Sequence, residues 1–218
     1  LEFRRVLFRS HPDGIVREHG RQHLTRVLPH LWRHGEAFEF SGFGGVRIGC
    51  LRVRAQGGSK PKGVLVVHPG RTETFLKYAE LAYDLRESGW ILYMIDPRGQ
   101  GVSGAVLADD EKKSHVENFD HYVDDLTKAV HLVREREAIE KVVVLGLSMG
   151  GAIATLMAQR SPAVVSGVVL SAPMHGIRIG WVPEWAARLV AWASDSIGLG
   201  TRYVPGRGAP GDLNDPHD

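Results

Sequence analysis

The chain has 218 residues, of which 43% are hydrophobic, and this is enough for one domain with a full core. Its 27 Lys and Arg residues nearly balance its 25 Asp and Glu residues, which excludes the strongly basic surface of a nucleic-acid-binding protein. Its single cysteine, Cys50, excludes an internal disulfide and is typical of a reducing compartment, so we expect a cytoplasmic protein.

The N-terminal part of the sequence has two sections. Residues 1–10, LEFRRVLFRS, have no periodic or capping pattern and resemble the translation of a sequencing adapter, so we set them apart from the fold. The pattern from Ile15 to Leu31 is loosely helical and basic. Nowhere does the chain approach the roughly 18 consecutive apolar residues of a membrane span. Any contact with a membrane, including the inner membrane, is therefore predicted to be peripheral.

Two kinds of strand pattern follow. Glu36 to Phe40 and Val46 to Arg54 alternate in polarity around a glycine-rich turn, which predicts an antiparallel hairpin. Gly63 to His68 and Trp90 to Ile95 are instead continuous apolar runs, as expected of strands buried on both faces of a parallel sheet. Between these two runs, apolar residues from Phe75 to Leu85 lie on one helical face.

The second half repeats the alternation of helix and strand. Asn118 can cap a helix, and Val164 to Leu170 predicts another strand that ends at Ser171-Ala172-Pro173. The order predicts an α/β fold with a doubly wound, mostly parallel sheet behind an antiparallel hairpin. We expect residues 11–173 to form its core and residues 174–218 to begin a helical cap, in which Pro183 to Ala193 is a short helix with an aromatic face.

The segment from Lys141 to Gln159 changes from an apolar strand to a tight turn and then to a helix of small residues. The turn has the pattern Gly-x-Ser-x-Gly, in which Gly146 and Gly150 leave room for closely approaching backbone around Ser148. Such an elbow lifts a hydroxyl above the carboxyl edge of a parallel sheet, where the helix N-terminus favours negative charge. The pattern predicts that Ser148 is a nucleophile and that the N–H of Met149 stabilises an oxyanion.

Several short motifs accompany the elbow: Pro69-Gly70-Arg71-Thr72-Glu73, Lys77-Tyr78-Ala79-Glu80-Leu81-Ala82, Asp96-Pro97-Arg98-Gly99-Gln100-Gly101, Tyr122-Val123-Asp124-Asp125-Leu126 and Ser171-Ala172-Pro173-Met174. With these motifs the chain resembles the α/β-hydrolase superfamily, and within it the bacterial lysophospholipases and monoacylglycerol lipases of the serine aminopeptidase group.

The resemblance implies an ester hydrolase that releases a fatty acid from a lysophospholipid or monoacylglycerol, without cofactor or metal. It also implies a second oxyanion donor in the N–H of Arg71. Gly70 and Asp96 are expected to support the surrounding loops. The sequence differs from its relatives at Leu147, where a histidine is usual, and at Pro97, where an aromatic residue or histidine is usual.

A serine nucleophile needs a histidine base and a carboxylate that orients it, which in this fold follow the serine in the order acid, then histidine. At about 30 residues per βαβ unit, both are expected beyond residue 218, so the chain itself is expected to be an inactive fragment. Asp212, Asp215 and His217 have the right order but lie in the expected cap region. The other candidate histidines are interpreted as loop or surface residues: His68, His115, His121 and His175.

Some alternatives stay open at this point. The spacing of His115 and Asp120 matches a glycerolipid acyltransferase signature, and the fold could also serve a non-catalytic binding module. The side chain of Arg71 could bind a lysophospholipid phosphate or form a salt bridge with Glu73 or a neighbouring helix. The tryptophans around Pro183 to Ala193 could contact acyl chains or a bilayer surface, or pack over the sheet.

Overall fold

The computed structural model describes residues 23–56, 60–107, 114–176 and 183–201. Its centre is a six-stranded sheet in the order β1-β2-β4-β3-β5-β6. The β1–β2 and β2–β4 pairs are antiparallel, whereas β3, β4, β5 and β6 run parallel. The α/β prediction with its N-terminal hairpin is therefore confirmed. The strands are β1 (Gly35–Ser41), β2 (Arg47–Val53), β3 (Gly63–His68), β4 (Trp90–Ile95), β5 (Val142–Leu147) and β6 (Gly167–Ser171).

The helices agree with the sequence patterns except at their ends. The predicted helix from Phe75 begins instead as a 3-10 turn, Phe75–Tyr78, which the Thr74 side chain caps at Leu76 N–H. The predicted strand from Val164 begins later, because Pro162–Val164 forms another 3-10 turn. The α-helices are α1 (Leu28–His34, after a π-helical turn at His23–Val27), α2 (Ala79–Asp84), α3 (Asp120–Glu137), α4 (Met149–Arg160) and α5 (Glu184–Ser196).

Apolar side chains form a core on each face of the sheet. One core joins the sheet to α3 and α4 through residues such as Tyr93, Val130 and Ile153, all fully buried. The other joins it to α1 and the Phe75–Asp84 segment through residues such as Leu31. Burying both faces gives a three-layer α/β/α arrangement, as a parallel sheet requires.

A buried ion pair joins three parts of the chain at one end of the sheet. Arg98 forms two hydrogen bonds with the carboxylate of Asp125 on α3, at 2.7 and 2.8 Å. The same carboxylate accepts the N–H of Phe43 at 2.7 Å, and the Arg98 guanidinium donates to the Phe43 carbonyl at 3.1 Å. The hairpin turn, the loop after β4 and helix α3 are therefore fixed to one another.

Helix α5 has an exposed apolar surface. Trp185, Trp192 and Leu189 are 70%, 68% and 55% exposed. Within the described residues, no helix combines the length and the hydropathy needed to cross a bilayer. Several predicted features lie outside the described residues: residues 15–22, the turn at 57–59, Trp181, and the tail that holds Asp212, Asp215 and His217.

Candidate active site

Ser148 lies at the turn between β5 and α4, and its side chain is exposed. Its backbone angles, φ 49° and ψ −115°, are strained for any residue other than glycine. Two hydrogen bonds hold the turn to the end of β6: Ser148 N–H donates to the Ser171 carbonyl at 3.0 Å, and Met174 N–H donates to the Ser148 carbonyl at 2.9 Å. The hydroxyl therefore stands on a strained but fixed turn at the carboxyl edge of the parallel strands.

The glycines around Ser148 are required by close backbone contacts. A Cβ built on Gly146 would stand 2.6 Å from the Gly150 carbonyl oxygen, and one on Gly151 would stand 2.8 Å from Pro173 Cβ. A Cβ on Gly150 would stand 2.7 Å from Nδ1 of His68, at the end of β3. These separations are too short for real carbon contacts, so larger residues here would displace the turn.

The loop after β3 lies against the elbow. A Cβ on Gly70 would be 3.2 Å from Ser148 Cβ, so Gly70 lies directly beside Ser148. Gly70 N–H donates to Glu73 at 2.9 Å, and Thr72 N–H donates to the side-chain oxygen of Gln100. Within the described residues, no acceptor is hydrogen-bonded to the N–H of Arg71 or of Met149. Met149 is buried, and buried amides are normally paired, so its free N–H, together with that of the exposed Arg71, suits an oxyanion near Ser148.

The predicted salt bridge between Arg71 and Glu73 is wrong. The Glu73 carboxylate instead accepts hydrogen bonds from the Gly70 N–H, the Tyr78 hydroxyl and the Lys77 ammonium. Burial raises the pKa of Glu73, but these hydrogen bonds outweigh that effect and hold its pKa below the ordinary value. Arg71 is exposed, and in the described part of the chain it forms no ion pair.

Asp96 is fully buried directly after β4 and binds two loops at once. Its carboxylate accepts the Val102 N–H of its own loop at 2.9 Å. It also accepts the Phe75 N–H at 2.6 Å and the Thr74 hydroxyl at 3.3 Å, both in the segment after Arg71. Burial raises the pKa of Asp96 to about 7 in spite of these donors.

None of the described histidines hydrogen-bonds to the Ser148 hydroxyl. The ring of His68 is buried, donates from Nδ1 to the Pro69 carbonyl at 3.1 Å, and has its pKa lowered by burial to about 4. His121 stacks on Phe43 with ring centroids 4.2 Å apart. The hydroxyl of Thr155 donates to Gly151, so Nε2 of His175 must be the donor in its 3.0 Å contact with that hydroxyl.

His115 and Asp120, the acyltransferase alternative, do not form a dyad. The Asp120 carboxylate pairs with Arg160 on α4 at 2.6 Å, and the described residues show no hydrogen bond between Asp120 and His115. A histidine without its carboxylate lacks the group that would orient it as a base. The structure therefore offers no support for chemistry at this pair.

A groove of about 450 Å³ lies on the outer side of α4, beginning one turn after Ser148. Its walls combine apolar side chains with polar groups from Thr155, Gln159 and His175. Met174, which donates to the Ser148 carbonyl, is shared between the elbow and this groove. An acyl chain is the kind of group that such a wall can bind. The other lining residues are Phe119, Ala152 and Leu156.

Sequence reasoning did not single out Gln100, whose side chain accepts the Thr72 N–H and so holds the loop beside Ser148. Its position inside the Asp96–Gly101 motif was the available signal, but the motif gives no direction for the side chain. The hydrogen bond between Gln100 and Thr72 joins two loops that meet only in the folded chain.

The chain matches one family model and several curated proteins. Residues 59–208 match the family described as "Serine aminopeptidase, S33". Lysophospholipase L2 of Escherichia coli is 38% identical over 203 residues, which cover 93% of this chain and 58% of that protein. The monoacylglycerol lipase of Mycolicibacterium smegmatis is 32% identical over 148 residues, which cover 68% of this chain and 50% of that protein. The chain thus spans between one half and three fifths of the length of these curated relatives.

Solved structures support the fold. A soluble variant of monoglyceride lipase from Saccharomyces cerevisiae, in complex with a substrate analog, superposes with a TM-score of 0.60. The match covers 76% of this chain and 53% of that chain at 20% sequence identity. A carboxyl esterase from Bacillus coagulans gives a TM-score of 0.55 over 63% of this chain and 44% of that chain, at 22% identity. At such identities the likeness concerns the α/β-hydrolase fold alone.

Proposed function

The chain belongs to the serine aminopeptidase S33 family of α/β-hydrolases, and we propose that it carries the nucleophile of a serine carboxylic-ester hydrolase acting on a lipid monoester. The observation that supports this most is the placement of Ser148: an exposed hydroxyl on a strained turn, beside two backbone N–H groups that have no acceptor within the described residues. A non-catalytic binding module would have no need to hold a serine at these backbone angles.

The proposed reaction proceeds through an acyl-enzyme. Ser148 Oγ attacks the ester carbonyl carbon while a histidine takes its proton, and the N–H groups of Arg71 and Met149 stabilise the oxyanion. The intermediate collapses, the bond to the alcohol oxygen breaks, and the alcohol leaves with the proton from the histidine. Water then cleaves the acyl-enzyme and releases the fatty acid. We propose that the histidine and its carboxylate lie in a segment of the whole protein that corresponds to the part of the longer relatives not spanned by this chain. Under this proposal the chain alone is inactive.

The groove on α4, which reaches the Ser148 turn through Met174, and the side chain of Arg71 suit the two ends of a lysophospholipid. The apolar side chains of the groove can bind the acyl chain. Glu73 is engaged elsewhere, so the exposed guanidinium of Arg71 is available to a phosphate oxygen of the substrate. A monoacylglycerol would use the groove but not the guanidinium. We therefore propose a lysophospholipid as the preferred substrate and a monoacylglycerol as the weaker one.

We also propose a cytoplasmic protein that reaches its substrate by peripheral contact with a lipid surface, the inner membrane. The support is helix α5, whose Trp185 and Trp192 are mostly exposed. Tryptophan rings are favoured at the boundary between lipid and water.

The test of the catalytic proposal is labelling of the whole protein, histidine and acid included, with a fluorophosphonate probe. We expect rapid labelling of the wild type and none of Ser148→Ala, together with loss of lysophospholipid hydrolysis. Equal labelling of both proteins would contradict an acyl-enzyme at Ser148.

A further inference from the structure

Gln100 is a buried side chain that the proposed chemistry has not used. It lies in the loop after β4 and is only 6% exposed. Its oxygen accepts the N–H of Thr72. Its amide nitrogen Nε2 is buried and has no hydrogen-bond partner among the described residues.

An orphaned amide nitrogen is unfavourable, since a buried unpaired donor typically costs about 1 to 3 kcal/mol. Stability alone therefore does not explain a glutamine at this position, where an apolar side chain would avoid that penalty. What the glutamine provides is one acceptor for the Thr72 N–H.

Thr72 is itself an unusual residue. Its φ is 60°, in the left-handed region that β-branched residues rarely occupy. Its hydroxyl donates to the Arg71 carbonyl at 2.6 Å. The peptide that follows Arg71 is therefore held on both sides, by the Thr72 hydroxyl at the carbonyl and by Gln100 at the N–H.

The Pro69–Gly70 peptide is held as well, because Gly70 N–H donates to Glu73. The Gly70–Arg71 peptide thus lies between two fixed peptides, and its N–H, that of Arg71, has no acceptor among the described residues. We infer that Gln100 is a positioning residue: it fixes the strained Thr72 so that the Arg71 N–H points to the oxyanion formed at Ser148. This inference rests on the proposed function and names the group that maintains its oxyanion site.

The test is a kcat and KM comparison on the whole protein with a lysophospholipid substrate. Gln100→Met keeps the volume and removes the acceptor. We expect kcat to fall by about tenfold to a hundredfold with little change in KM, because a misplaced oxyanion donor acts mainly in the transition state. Gln56→Met, in the half-buried segment after β2, is the matched control and should leave both constants unchanged.

Two further variants separate positioning from a general packing effect. Gln100→Asn withdraws the oxygen by about 1.5 Å, one carbon–carbon bond, and should also lower kcat. This variant provides the test if Gln100→Met does not fold. Gln100→Glu keeps an acceptor for Thr72 and should retain clearly more of kcat than Gln100→Met. An unchanged kcat in Gln100→Asn and Gln100→Met, or a fall matched by a proportional rise in KM, overturns the inference.

The same experiment distinguishes the two levels of the proposal. If hydrolysis depends on Ser148 but not on Gln100, the inference fails and the proposed function stands. If wild type and Ser148→Ala hydrolyse the substrate equally, the proposed function fails and the inference falls with it.

Discussion

Gly150 lies so close to His68 that a Cβ on Gly150 would stand 2.7 Å from the imidazole Nδ1 and closer still to the His68 carbonyl oxygen. Helix α4 therefore begins in direct backbone contact with the end of β3. Gly150→Ala is expected to lower the free energy of unfolding by about 1 to 3 kcal/mol, since the two segments would have to separate. Denaturant unfolding measures this loss.

The matched control for that substitution is Gly167→Ala in β6. A Cβ on Gly167 has nothing within 4 Å, so this variant should unfold at the wild-type denaturant concentration or slightly above it. Equal stability of the two alanine variants would show that the contact between Gly150 and His68 is not tight.

Asp125 is expected to matter much more for stability than its neighbour Asp124. Removing the Asp125 carboxylate leaves the buried guanidinium of Arg98 without its partner, which typically costs about 3 to 5 kcal/mol. Asp124 is exposed, and Asp124→Ala should change little. Chemical unfolding of Asp125→Ala and Asp124→Ala makes the comparison, and similar midpoints would contradict a structural role for the ion pair.

Arg71→Gln should change substrate preference more than overall activity. The variant keeps the backbone N–H at residue 71 but loses the guanidinium, so kcat/KM for a lysophospholipid should fall about tenfold or more. The value for a monoacylglycerol with the same acyl chain should change little. Arg54→Gln, at an exposed arginine after β2, is the control. An equal fall for both substrates would argue against a phosphate contact.

Asp96 predicts a pH dependence of stability. In the unfolded chain this carboxyl titrates near its ordinary value of 3.8, whereas in the fold its pKa is raised to about 7. The folded protein therefore holds the proton more tightly, and the resulting stability is complete below pH 3.8 and is lost as the pH rises through about 7.

The measurement is the free energy of unfolding of the wild type minus that of Asp96→Asn between pH 4 and pH 8. The difference should fall steadily with rising pH. His68, with its lowered pKa, contributes an opposite slope to both proteins and cancels in the difference. A constant difference would mean that Asp96 is already ionised at low pH in the fold.

The exposed tryptophans of α5 predict binding to lipid vesicles. The double variant Trp185→Ala/Trp192→Ala should bind vesicles of phosphatidylethanolamine and phosphatidylglycerol more weakly than the wild type in a sedimentation assay. Phe43→Ala, which removes an exposed aromatic ring from the hairpin turn, is the control. Undiminished binding of the double variant would assign the contact to another surface.

The sequence was most informative where a pattern is local. The predicted bounds of β3 and β4, Gly63–His68 and Trp90–Ile95, agree with the structure to the residue. Both are continuous apolar runs that stop at residues unsuited to a strand interior, such as Pro69 and Pro97. The elbow at Ser148 was predictable for a similar reason, because strand, glycines and helix are adjacent in the chain.

The predictions were weaker where a side chain chooses between distant partners. A salt bridge with Glu73 was one of the alternatives for Arg71, but the 3-10 turn at Phe75–Tyr78 brings Lys77 and Tyr78 to the Glu73 carboxylate instead. Gln100 and Asp96 both reach the loop after β3, at separations of more than twenty residues in sequence. Composition and periodicity contain no information about such contacts, which depend on how two loops fold over the same sheet edge.

The backbone of Ser148 has a consequence for evolution and for engineering. Its dihedral angles suit glycine, and holding a serine there typically costs about 1 to 3 kcal/mol of folding free energy. The packing of the surrounding sheet and helices must offset this cost. A chain with glycine at this position should survive heating better than the native one while losing its reactive group. Durability and reactivity therefore compete at a single backbone position, and selection for heat resistance alone would favour an inert protein.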